Sequence, residues 1–156
     1  MMEADQELRN QLTGDNASNV LLVLRMNAAD MQHAARMKEI VEQVGWPVKT
    51  MVGADGAFAA WLLVQHADLD PQFQERCLAL MEQALREGEA EAKEVAYLTD
   101  RVRVNTGRPQ VYGTQFHTVD GVLVPRPLED PEHVDERRKH VGLGTMEEYT
   151  KTMRGG

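Results

Sequence analysis

Three short stretches carry the side chains that could do chemistry. They are Gln65-His66-Ala67-Asp68, Asp100-Arg101 and Gln110 to His117. A histidine with its free pKa near neutrality can both take and give a proton, so His66 is the candidate acid/base. Asp68 and Asp100 are the carboxylates that could orient it and tune its charge. Gln65, Arg101, Gln110, Gln115 and His117 offer donors and acceptors for the polar or anionic groups of a substrate. Tyr112 offers a hydroxyl or an aromatic wall. If the three stretches meet, they suit cofactor-independent acid/base catalysis on a small polar molecule. An elimination, dehydration or cyclisation of lyase type fits, and so does a hydrolysis. The plainer account of His66 is a buried histidine linking two helices.

Other chemistries find less support. There is no Gly-x-Ser-x-Gly, and the sole serine, Ser18, lies in a different setting. Cys77, the single cysteine, falls at an apolar helical position and reads as a core residue; no internal disulfide can form. No glycine-rich phosphate loop occurs. His66 and Asp68 with His117 would offer imidazole and carboxylate ligands, which leaves a metal-assisted hydrolase as an alternative. No spaced His or Cys motif supports it, so the expectation is neither metal nor cofactor.

Composition narrows the class. At 156 residues, with 42% hydrophobic and 27% charged residues, the chain is expected to form one globular domain with a sizeable core. A net charge of −8 argues against a general nucleic-acid binder, which needs a basic face. No apolar run approaches the ~20 residues needed to span a bilayer. The acidic start lacks the apolar stretch of a signal peptide, so a cytoplasmic protein is the expectation. A second reading also fits the composition: a binding module of immunity or regulatory type, its acidic surface suited to a basic partner. Neither reading fixes the oligomeric state.

The elements that must position these residues are mostly helices. Residues 3–12 read as a short amphipathic helix, with Asp5 and Arg9 paired and Leu8 and Leu12 docking on the rest. A long helix over 18–44 carries an apolar stripe of Met31, Ala34, Ala35, Ile40, Val41 and Val44, with Arg36, Lys38 and Glu39 on its wet side. Val20 to Leu24 could be buried helix or strand. Gly45 and Pro47 stop that helix, and Trp46 packs back on it. A central helix apolar nearly all round runs from about Ala54 to His66. Asp70-Pro71 reads as N-cap and first residue of the next helix, which is the preferred account of Asp70. Another helix covers 90–105. Asp100, close to its C-terminus, opposes the helix dipole and so needs a reason to be there.

From Gln110 the apolar period becomes alternating. Asp120-Gly121 between β-branched residues is a strong hairpin signal, placing one hairpin near residues 110–125. Gly113 within it suggests a bulge or a close approach. Asp130-Pro131 looks like a second cap-plus-proline start, for a charged helix over 131–141. Its His133, His140, Arg137, Arg138 and Lys139 read as a solvated face. Thr145-Met146-Glu147-Glu148 is a capping box for a short last helix. The expected fold is mainly α, about six helices around the central apolar one with one β-hairpin.

Asp5…Arg9, Gly45-Trp46-Pro47, Gln65-His66-Ala67-Asp68, Leu98-Thr99-Asp100-Arg101 and Gln110 to Gln115 together resemble a bacterial family of small proteins defined as a domain of unknown function. The resemblance extends through Pro125, Asp130 and Arg137 to Gly142-Leu143. It implies no activity. Where that pattern would place an acidic residue in the middle of the second helix, this chain has Met26-Asn27.

Overall fold

The computed structural model describes residues 16–156, and the expected helix at 3–12 lies outside them. The fold is mainly α, with six α-helices among the described residues and one two-stranded antiparallel hairpin. The helices are α1 (Asn16–Val44), α2 (Lys49–Gln65), α3 (Pro71–Arg86), α4 (Ala92–Asn105), α5 (Val134–His140) and α6 (Met146–Met153). The hairpin pairs β1 (Phe116–Val119) with β2 (Val122–Pro125). The described residues divide into two compact units, the first ending at Leu80 and the second running from Met81 to Gly156. No helix among the described residues is long and apolar enough to cross a membrane.

In the first unit, α1 buries Ala34, Met37 and Val41 on one face. The 20–24 run is helical, and only Leu22 of it is buried; Val20, Leu21, Val23 and Leu24 are exposed. Met31 and Val44, expected inward, are exposed too. Trp46 is buried just beyond the stop at Gly45, as its packing role requires. Helix α2 is kinked at Gly53, whose φ of 77° and ψ of 169° no helix interior adopts, so its apolar length begins at Ala54. Ala57, Ala60, Trp61, Leu63 and Val64 are buried along it, while Phe58 turns outward and meets the Trp61 ring at 5.3 Å. Asp70 caps α3: its Oδ1 accepts from the Phe73 backbone N–H at 3.0 Å.

Cys77 is fully buried, and burial pushes its thiol up to about 12. A thiol so raised is not a nucleophile at neutral pH. Native protein should therefore react with a disulfide reagent only on the timescale of global opening, with prompt labelling on adding denaturant. Prompt labelling of folded protein would contradict this placement.

The second unit is less regular, and polar bonds hold its irregular parts. The hairpin is shorter than the alternation implied. Residues 110–115 form no strand: Gln110 makes an isolated parallel bridge to Leu128, and the N–H groups of Val111, Tyr112, Thr114 and Gln115 bond to side chains instead of a neighbouring strand. Asp120 and Gly121 both have positive φ, 49° and 78°, as the two-residue turn demands. Asp130 is not an N-cap: it lies in the left-handed region at φ 47° and makes no capping bond. It opens a 3₁₀ turn over Pro131–His133, and its carboxylate bonds the His133 ring at 2.9 Å. That carboxylate raises the His133 pKa, chiefly through the hydrogen bond. The capping box at Thr145 forms, with Glu148 N donating to the Thr145 hydroxyl at 3.2 Å and Thr145 N to the Glu148 carboxylate at 2.9 Å.

Candidate functional site

The first unit holds a cleft of about 290 Å³ against the stretch that follows His66. Ala67, Leu69 and Asp70 form one wall, and Met31, Ala34 and Ala35 of α1 form another. Asp30 and Lys38 add charge to a mainly apolar lining. Lys38 pairs with the Asp70 carboxylate and lies over the Phe73 ring at 5.5 Å from its centre. The Lys38 hydrogen bond, with the Phe73 N–H, holds the Asp70 carboxyl below its usual pKa. Asp70 is thus at once a cap, an ion-pair partner and a cleft wall. Lys38 is 32 residues away in sequence, and its position on α1's wet side gave no hint of this.

The junction between α2 and α3 is locked by a residue that sequence reasoning missed. Gln74 has no exposed surface, and its amide donates to Val64 O at 3.0 Å, to Gln65 O at 3.3 Å and to Asp68 Oδ1 at 3.3 Å. One side chain thereby ties two carbonyls at the end of α2 to the stretch that follows, Val64 O accepting from the Ala67 N–H as well at 3.0 Å. His66 is the C-cap residue of α2, half-buried, its backbone N–H donating to Leu62 O at 3.2 Å. Gln65 is buried, and Asp68 is exposed while accepting from Gln74.

The second unit brings Asp100, Gln110, Tyr112 and Gln115 together, in a network that fixes backbone. Asp100 has no exposed surface. Its Oδ1 accepts from Val111 N at 2.7 Å and Tyr112 N at 2.9 Å. Its Oδ2 accepts from Thr114 N and the Thr114 hydroxyl, both at 2.9 Å. Four donors on one carboxylate use its acceptor capacity. They explain why an acid sits near the end of α4 against the dipole: it gathers the loop that leads to the hairpin. Gln110, equally buried, is bound at both ends of its amide. Its Nε2 donates to Gln115 O at 2.9 Å and Arg126 O at 2.8 Å, and its Oε1 accepts from Gln115 N at 2.8 Å. Gln115 Nε2 donates to the Thr114 hydroxyl at 2.9 Å.

Two arginines finish the clamp. Arg137 donates to Val111 O, Glu129 O and Asp130 O. Arg138, read as surface from its charged neighbours, is 2% exposed. It donates to Tyr112 O at 2.7 Å and Gly144 O at 2.5 Å, with its guanidinium 4.9 Å from the Tyr149 ring centre. Burial lowers its pKa. Burial, and then Asp100, raise that of Tyr112, so its phenol is no ready base. Arg101 and His117 are half-buried, on α4 and β1. Among the described residues no group of three or more His, Cys, Asp or Glu is placed to hold a metal.

Gly113 is the point of closest approach in this loop. It has φ +70°, and a Cβ there would lie 2.3 Å from Met146 Sδ. Gly113→Ala should cost about 2 kcal/mol in denaturant melts, from the left-handed backbone and the displaced Met146. Adding Met146→Ala should not restore full stability, because the backbone strain remains.

The chain belongs to the DUF6624 family, a family of unknown function whose model matches residues 1–155. No curated protein and no solved structure matches it significantly.

Proposed function

We propose that the chain is a small cofactor-independent enzyme that works by acid/base catalysis on a small polar molecule, with His66 as the proton carrier. The observation that carries this reading is the cleft of about 290 Å³ whose wall begins at Ala67, next to His66. Ligand sites commonly fall at roughly 300–1,000 Å³, so this one suits a small molecule. An apolar lining with a few charged groups is the usual make-up of such a site. Asp100, Gln110 and Gln115 take no part in the chemistry in this reading, since they are engaged in holding the loop of the second unit. A lyase-type elimination, dehydration or cyclisation is favoured over hydrolysis. Such a step takes a proton from the substrate and returns one to the oxygen that departs as water, both within the scope of one imidazole.

A non-enzymatic binding module is the second reading. It is favoured by the way the most conspicuous polar residues of the second unit are spent on structure.

The test compares wild type with His66→Ala, each incubated with a fractionated extract of small molecules and followed by mass spectrometry. The expected result is depletion of one compound by wild type, with the rate reduced ~10²-fold or more in the variant. A product lighter by one water would identify a dehydration. Equal depletion by both proteins would remove His66 as the proton carrier, and depletion by neither would overturn the enzyme reading.

A further inference from the structure

The cleft of the first unit has a charge pattern that selects a ligand class. Its lining contains two carboxylates, Asp30 and Asp70, and one ammonium, Lys38. Asp70 accepts one hydrogen bond at each oxygen, from Phe73 N and from Lys38. A carboxylate has about four acceptor positions, so two remain for another donor. Its side chain is 32% exposed, which leaves it within a ligand's reach. Beside it, Met31 and Leu69 are each 61% exposed although both line the cleft. Large apolar side chains left in water beside a concave site are what a hydrocarbon group would cover.

We infer that this cleft binds a small amine: a protonated nitrogen on Asp70, with an apolar body against Met31, Ala67 and Leu69. The inference rests on the reading of the cleft as the substrate site and adds the substrate's charge class. Lys38 acts as a resident competitor. Its ammonium holds the same carboxylate that the ligand's nitrogen would use, and its long stem lets it swing aside. A carboxylate ligand would gain Lys38 and meet two acids. A neutral ligand would gain only the apolar contacts.

The probes are butylamine, butanol and butyrate, titrated into the full chain and followed by calorimetry and amide NMR. Butylamine should bind on the order of tenfold more tightly than butanol, the worth of one partly exposed charge-assisted hydrogen bond, and butyrate more weakly than either. Resonances of Met31, Ala67 and Leu69 should move. Asp70→Asn keeps a good cap, so α3 survives; it should remove the preference for the amine. Lys38→Met should tighten amine binding severalfold by freeing Asp70. If the probes bind in the cleft with no advantage for the amine, or if Asp70→Asn leaves that advantage intact, the inference fails alone. If none of the three moves a cleft resonance, the cleft is not a ligand site, and the proposed substrate site falls with it.

Discussion

Asp100→Ala should lower stability by about 4 kcal/mol, the largest single-residue loss expected in this chain. The substitution leaves three backbone N–H groups and one hydroxyl without the acceptor they share. Each buried unsatisfied donor costs roughly 1–3 kcal/mol, and Val111 and Tyr112, being half-buried, recover part of that from water. Asp100→Asn should lose less, about 2–3 kcal/mol, since it keeps one accepting oxygen but turns a donor toward the loop. Urea denaturation of both variants checks the order. A loss under about 1 kcal/mol for Asp100→Ala would contradict the loop-holding role.

Arg138→Ala should cost about 3 kcal/mol, because a buried side chain is removed, the part-buried Tyr112 and Gly144 carbonyls lose their donor and the Tyr149 ring no longer has a cation over its face. The effect should be local as well as global. Gly144 and Tyr149 are both held by this guanidinium, so amide exchange along α6 should speed up more than exchange along α4. Lys139→Ala, an exposed neighbour one residue away, should stay within about 0.5 kcal/mol of wild type. Similar effects at the two positions would mean that Arg138 is not the buried anchor.

The contrast between those two neighbours marks the limit of what could be read from the sequence. In Asp135 to His140 every residue is charged or titratable, and nothing local separates the one that turns inward. Its acceptors, Tyr112 O and Gly144 O, are backbone atoms brought there by the tertiary fold. Residues whose partners are close in the chain were legible. Asp70 capping at Phe73, the Thr145 box and the Asp120-Gly121 turn all follow local rules that tertiary context did not override. The alternating pattern at 110–115 misled in its form, because apolar alternation is shared by a strand and by a loop whose amides are taken by side chains. The misplacement of Asp100 against the helix dipole was a true signal of a special role. The sequence could not reveal that its partners are backbone N–H groups. For the cleft, Ala67 and Leu69 belong to the stretch around His66, whereas Lys38 had no local mark at all.

The most direct test of His66 as proton carrier measures turnover and melting temperature side by side for His66→Ala and Asp100→Asn, on the substrate that depletion identifies. His66→Ala should melt close to wild type and lose turnover ~10²-fold or more. Asp100→Asn should melt early, yet turn over at near wild-type rate at temperatures where it stays folded. A fully active His66→Ala, or a folded Asp100→Asn with turnover abolished, would contradict the proposed division between a catalytic histidine and a loop-holding aspartate.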